Sequence, residues 1–401
     1  MQKSLLAYLL ISLWLFDPSL LSAQEVTDVV EEGPYVAFID GSWSEARTLA
    51  AEQGKYIMVD AYTDWCGWCK VQDKNTFHNE KVAAYMNENL VAVKIDFEKG
   101  VGIDLAMKYR VRSFPTLLFF TPEGKIAGRI VGYDPDIENF ISSVESMQDE
   151  ANHPPQIGDP NVLDPGFPDF YLESFGKNGK KKRIAPEVVG EWLEQQEDMY
   201  SEEVWNVIAT MSLPEAQQNR YLENYQSYVD KFGKESAKGV VDNIINAKFY
   251  DAIRSKEEEK LEAVLEVLRK YGDPAFEGNL KMAYYQRTEE WTKLVAAGNS
   301  LAEAKGYESA SAFNSAAWTM YEKCEDQALL TEATDWMHKV VLEDDSYAYL
   351  DTYAALLFKT GQDGLAMKWA NRAIATGKRN QENVSGTEAL IEKYQKEESN
   401  E

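Results

Sequence analysis

The most informative stretch of the chain is YIMVDAYTDWCGWCK, residues 56–70. It opens with an apolar run typical of a buried strand and closes with a Cys-x-x-Cys motif, Cys66 to Cys69, where a helix is predicted to begin. The unpaired N–H groups and the positive dipole end of a helix N-terminus stabilise a thiolate. Cys69 lies one helical turn further on, so the pattern predicts a disulfide that opens and closes as a two-electron switch.

Two other uses of these cysteines stay open on the sequence alone. A structural zinc site needs four ligands, and the chain offers only Cys324 and three histidines besides the pair. A purely structural disulfide is the second alternative. Three cysteines in 401 residues do not make a framework of disulfides, which favours a redox role for Cys66 and Cys69. We predict no metal and no cofactor.

Around this motif the sequence resembles thioredoxin in three segments that follow the family's order. They are residues 56–66, residues 111–120 with Pro115 at the place of the family's cis-proline, and Gly132 in the last strand. The spacing over residues 76–86 is more similar to the periplasmic reductase-type domain of the thiol:disulfide interchange protein. The resemblance covers roughly residues 36–148. It implies an α/β thioredoxin-like fold, with a mixed central sheet and flanking helices.

The resemblance also implies roles for individual residues. Cys66 is the candidate nucleophile, and Cys69 is the candidate residue that resolves the mixed disulfide. Asp60 stands where the family keeps a buried carboxylate, which is implied to take the proton from Cys69; a strand-end surface aspartate is the alternative. Lys94 stands two positions from the place of the family's lysine, so no pair between Asp60 and Lys94 is predicted.

Further residues around the motif are candidates for contact with a substrate. Pro115 is implied to face the disulfide, and the backbone of Phe114 beside it to present an edge to an incoming peptide. Trp65, Gly67 and Trp68 surround the thiols, and the two indoles are predicted to add apolar contact surface. Plain packing is the alternative for both tryptophans.

The N-terminal residues are typical of an export signal. Lys3 precedes an apolar run from Leu5 to Phe16, and the small residue Ala23 offers a cleavage point. We therefore predict a signal peptide at residues 1–23, an exported, periplasmic protein, and no membrane span in the mature chain. An uncleaved anchor is the alternative.

Composition divides the rest of the chain into three parts. A thioredoxin-like domain at residues 24–150 is followed by a stretch rich in proline and glycine, which predicts an extended linker at residues 151–185. Residues 186–401 carry helical periodicity and predict an all-α domain. Within it, alanines at helical spacing over about residues 312–378 resemble tetratricopeptide repeats. We expect the two domains to fold independently.

We therefore predict an exported thiol–disulfide oxidoreductase that reduces or isomerises disulfides of exported proteins and takes electrons from a thiol donor. The formal charge of −26 argues against nucleic acid as a partner. The helical domain is predicted to supply a concave surface that holds a client. One rival is an interaction or chaperone-like protein whose redox activity is minor. A thiol peroxidase fits less well, because no threonine or arginine stands where it would activate a peroxide beside Cys66.

Overall fold

The computed structural model describes residues 35–39 and 42–398. The predicted signal peptide, residues 1–23, lies outside the described residues. Within the described part of the chain, no helix has the length and apolar character needed to cross a membrane.

The N-terminal part is built on one five-stranded sheet. Its strands are β1 Phe38–Ile39, β2 Tyr56–Tyr62, β3 Leu90–Asp96, β4 Thr116–Phe120 and β5 Ile126–Val131. They lie in the order β1-β3-β2-β4-β5. β3 runs parallel to β1 and β2, whereas β4 is antiparallel to β2 and β5. The central strand β2 is buried over most of its length, because both faces of the sheet are covered.

Five helices flank this sheet. They are α1 Trp43–Gln53, α2 Gly67–Gln72, α3 Glu80–Asn89, α4 Val101–Tyr109 and α5 Ile137–Ser146. α1 begins at a capping box, in which Ser42 and Glu45 each accept a hydrogen bond from the other's backbone N–H. α3 and α5 pack on one face of the sheet, and α1 and α4 pack on the other. This arrangement confirms the predicted thioredoxin-like α/β fold.

The described residues beyond the sheet domain are largely helical, which confirms the predicted all-α region. Their helices are α6 Asp169–Phe175, α7 Pro186–Leu193, α8 Glu202–Thr210, α9 Glu215–Glu223, α10 Tyr225–Phe232, α11 Lys234–Ser255, α12 Glu258–Tyr271, α13 Glu277–Thr288, α14 Trp291–Lys305, α15 Ala310–Lys323, α16 Gln327–Glu343, α17 Tyr347–Lys359, α18 Asp363–Arg379 and α19 Ser385–Glu398. The short connection between α17 and α18 makes them antiparallel neighbours, with Ala354, Ala366 and Ala370 buried between helices. The tetratricopeptide-like repeat itself stays a prediction.

The structure differs from the predicted extended linker. Residues 151–185 contain the helix α6, and Phe167, Tyr171 and Phe175 are buried in the apolar core. Pro168 occupies the N-cap of α6, where its missing N–H removes no helical hydrogen bond. The prolines therefore interrupt regular structure only before the helix begins, and the description of the segment as extended is wrong for α6. The domain boundaries stay a prediction.

One apolar core extends from the sheet into the helical region. The sheet face that carries α1 and α4 continues through Tyr171 to Trp205 of α8. Lys108 Nζ lies 2.6 Å from Glu202 Oε1, with the two side chains 1% and 9% exposed. Asn206 donates a hydrogen bond to Lys108 O at 3.1 Å. This shared core differs from the separate packing that we expected of two domains.

Candidate active site

Cys66 stands at the junction between strand β2 and helix α2. It is the N-cap of α2, and its Sγ accepts a hydrogen bond from Cys69 N–H at 3.0 Å. Its own N–H donates to Thr63 O at 3.1 Å, which tightens the turn out of the strand. The N–H that contacts the sulfur here is also placed to stabilise a Cys66 thiolate once the disulfide opens.

The two cysteines form a disulfide with an S–S distance of 2.09 Å. Both cysteines are buried, whereas Trp65 and Trp68 beside them are 67% and 62% exposed. Gly67 begins α2 between the cysteines, and a Cβ there would meet nothing within 4 Å. Because the indoles form the open surface around the disulfide, a molecule that approaches the sulfurs contacts the indoles first.

Each exposed indole packs against an aromatic ring from another part of the chain. Trp65 meets Phe114 edge-on, with 6.1 Å between ring centroids, and donates its Nε1–H to Glu98 at 2.8 Å. Trp68 stacks on Tyr133, with 5.8 Å between centroids. The structure thus brings the predicted residues Trp65 and Phe114 together. It adds Glu98 and Tyr133, which no local motif marks in the sequence.

Pro115 follows a cis peptide bond after Phe114. Its carbonyl oxygen accepts a hydrogen bond from Gly132 N–H at 2.9 Å, so the end of β5 holds the loop that carries Phe114. Gly132 has a φ of 88°, a conformation that favours glycine. Since Phe114 touches Trp65, this loop lies beside the Cys-x-x-Cys segment, and the implied peptide-binding edge is placed next to the candidate site.

Asp60 is buried in β2 and lies opposite Lys94 of β3. Lys94 Nζ is 3.7 Å from Asp60 Oδ2, so the two residues form an ion pair that the family spacing did not predict. Asp60 Oδ1 has no hydrogen-bond partner among the described residues. Burial raises the pKa of Asp60 to about 7, although the charge of Lys94 opposes this shift. The alternative of a strand-end surface aspartate is excluded, because Asp60 is only 3% exposed.

A second carboxylate reaches the same lysine. The chain continues from α2 into a π-helical turn, Asp73–Phe77, and Asp73 also pairs with Lys94. π-turns inside helices are frequent at functional sites. The negative charge of Asp73 adds to the effect of burial in raising the pKa of Asp60. Asp73 is therefore a part of the site that sequence reasoning missed.

The segment after α6 contacts the turn that follows β3, next to Trp65. Lys181 Nζ lies 2.5 Å from Glu98 Oε1, while Glu98 Oε2 accepts the indole hydrogen bond of Trp65. Those two hydrogen bonds, with Lys181 contributing more, lower the pKa of Glu98 and hold it ionised. Lys181 belongs to a run of basic residues near position 180. The charge of this run is a sequence feature that could have indicated a contact with a carboxylate.

The sheet order, the disulfide at a helix N-terminus and the cis-proline loop together define a thioredoxin-like domain. Residues 43–148 match the family model described as "Thioredoxin-like domain". This part of the chain is therefore a thioredoxin-like domain.

Relatives of this chain are similar to about a quarter of its length. The thiol:disulfide interchange protein DsbD of Yersinia pestis is 34% identical over 101 residues, which make up 24% of this chain and 17% of the relative. DsbD of Pseudoalteromonas atlantica is 38% identical over 94 residues, 22% of this chain and 16% of the relative. The chain thus spans about a sixth of the length of these relatives.

Solved structures are also similar to part of the chain. A proposed disulphide-isomerase of Bacteroides thetaiotaomicron is 37% identical, with 29% of this chain and 96% of that chain covered and a TM-score of 0.28. A DsbH oxidoreductase is 24% identical, with 29% and 88% covered and a TM-score of 0.26.

Proposed function

We propose that this protein is a thiol–disulfide oxidoreductase that reduces or isomerises disulfides of exported proteins. The observation that carries the proposal is the Cys66–Cys69 disulfide at the start of α2, flanked by two exposed indoles. Exposed aromatic side chains beside a disulfide are not required if the disulfide only stabilises the fold. They are typical of a surface that binds a polypeptide. The similarity to thiol:disulfide interchange proteins supports the same activity.

In the reducing direction, the Cys66 thiolate attacks one sulfur of the client's disulfide. A bond forms between Cys66 Sγ and that sulfur, and the other client sulfur leaves as a thiolate that takes a proton from water. The Cys69 thiolate then attacks Cys66 Sγ, which releases the second client sulfur and closes the Cys66–Cys69 disulfide. Two electrons pass to the client. A thiol donor then supplies two electrons that reduce the Cys66–Cys69 disulfide again.

Cys69 must lose its proton before this second attack. We assign that proton to Asp60, because a carboxylate whose pKa lies at about 7 accepts and returns a proton near neutral pH. Lys94 lies beside the ionised carboxylate and limits how far burial raises its pKa. Trp65, Trp68 and Phe114, with the backbone beside Pro115, would contact the client's polypeptide.

Export to the periplasm is part of the proposal. It rests on Lys3, the apolar run from Leu5 to Phe16 and the small residue Ala23. The client is then a disulfide-containing exported protein, and the helical region is proposed to hold it.

Insulin reduction tests the activity. The reduced full-length protein is mixed with insulin and dithiothreitol, and precipitation of the insulin B chain is followed by turbidity. Cys66→Ser should lose at least about 100-fold in rate, since the nucleophile is gone. The matched control is Cys324→Ala, which removes the buried third cysteine and should keep the activity. Full activity in Cys66→Ser, or none in the unaltered protein, contradicts the proposal; the second result would favour a client-binding role without redox turnover.

A further inference from the structure

A cavity of about 460 Å³ lies between the thioredoxin-like domain and the helical region. Its walls come from β5, the C-terminal end of α4, the segment around Pro155, and the helices α8 and α11. Neither cysteine nor either indole of the candidate active site lines it, so it is a separate feature of the molecule.

Two arginines on the wall of this cavity form no ion pair with a carboxylate of the described residues. Arg129 lies opposite Leu118 of β4, and the side chains of opposed residues project to the same face, here the face that meets the helical region. Among the described residues, the side chain of Arg129 makes neither an ion pair nor a hydrogen bond. Arg110 donates to the neutral amide of Asn206, and its guanidinium lies 6.0 Å from the ring centre of Trp205. Burial, and then the charge of Arg110, lowers the pKa of Arg129 to about 10.

The charges on the wall are predominantly positive. They are Lys108, Arg110, Arg129, Glu202 and Glu235. Lys108 and Glu202 neutralise each other in their buried ion pair. The remaining charged residues, Arg110, Arg129 and Glu235, leave a net positive charge on the wall. The chain as a whole has a formal charge of −26, so its composition does not explain this positive charge.

We propose that this cavity binds a small-molecule oxyanion, a carboxylate or a phosphate, between the two parts of the protein. The guanidinium of Arg129 binds the oxyanion, because its paired N–H groups match two oxygens of such a group. Arg110 adds positive charge on the same wall. The volume exceeds that of a single oxyanion, so the ligand carries an organic body against Ile126 and Ile157.

Calorimetric titration of the full chain tests the proposal, with sodium phosphate and disodium succinate as probes and sodium chloride at equal ionic strength as the salt control. At least one probe should bind saturably, and chloride should not. Arg129→Met should weaken that binding at least tenfold. The matched control is Lys125→Met, which removes an exposed cation at the start of the same hairpin strand and should bind as the unaltered protein does.

The two probes also separate the two oxyanion chemistries, since the one that binds identifies phosphate or carboxylate. Equal binding by Arg129→Met, the same response to chloride, or no binding of either probe overturns the proposal. If Arg129→Met does not fold, Arg129→Lys replaces it, because lysine keeps the charge but lacks the paired N–H groups that match two oxygens. Arg129→Lys should weaken binding at least threefold, and unchanged binding in that variant overturns the proposal.

Discussion

Replacing Asp60 by asparagine should change how the stability of this protein depends on pH. The folded state raises the pKa of Asp60 from 3.8 to about 7, with burial as the main cause. The folded protein therefore keeps the Asp60 proton at pH values where the unfolded chain has released it, so the unfolding free energy falls as pH rises through this window. Each tenfold change in proton affinity corresponds to ~1.4 kcal/mol, which gives a loss of about 4 kcal/mol. Asparagine is neutral throughout and avoids this loss.

Urea denaturation followed by circular dichroism at pH 4 and pH 8 measures the effect. The stability of Asp60→Asn relative to the unaltered protein should increase between these pH values, by up to about 4 kcal/mol. The matched control is Glu52→Gln, an exposed carboxylate on α1, which should show no such change. A stability difference that is the same at both pH values would refute the argument that Asp60 is a buried, incompletely partnered carboxylate whose pKa is raised in the folded state. Insulin reduction by Asp60→Asn should also slow near pH 7, because the proposed proton acceptor is missing.

Three other substitutions test separate contacts. Cys69→Ser should accumulate covalent adducts with insulin that dithiothreitol removes on non-reducing gels, and Cys66→Ser should not; equal trapping by both would reverse the assigned roles. Lys181→Met removes a partner of Glu98 and should raise the KM for insulin about two- to fivefold with kcat unchanged. The control Lys182→Met removes the neighbouring ion pair with Glu173 and should leave the KM unchanged. Glu202→Gln leaves Lys108 buried without an anion and should lower the unfolding free energy by about 3–5 kcal/mol in urea denaturation, while Glu203→Gln on the same helix turn should cost under about 0.5 kcal/mol.

The centre of the candidate site could be predicted because its parts are neighbours in the sequence. A strand, a turn and a helix start place Cys66 and Cys69 one helical turn apart, whatever the rest of the chain does. Trp65 and Trp68 flank the cysteines directly, so their position beside the disulfide follows as well. Pro115 stands at the place of the cis-proline in the thioredoxin family, and the structure has a cis bond there.

The contacts between distant segments could not be predicted in the same way. Lys94 was displaced from the family's position, yet the parallel register of β2 and β3 puts it opposite Asp60. Register depends on the pairing of whole strands, and no single residue reveals it. Tyr133 under Trp68 and Asp73 beside Lys94 arise likewise from packing.

The segment between the sheet and the later helices shows how composition can mislead. Its prolines and glycines are those of a linker, but Phe167 and Tyr171 need a buried environment, and the sheet face around α4 supplies it. The amphipathic stretch was too short for periodicity to predict a helix, and tertiary packing decides such cases.

The segment that contains α6 and Lys181 contacts the surroundings of the candidate active site at two places. Lys181 binds Glu98, the hydrogen-bond acceptor of one exposed indole. Arg112, three residues before Pro115, donates to Ser174 Oγ of α6 at 2.7 Å. The Cys-x-x-Cys segment, through Trp65 and Glu98, and the loop at Pro115 are therefore each in contact with residues outside the sheet domain. We propose that these contacts limit how far the two segments move when a polypeptide binds, so that client preference would depend on Lys181 and Ser174 as well as on the disulfide.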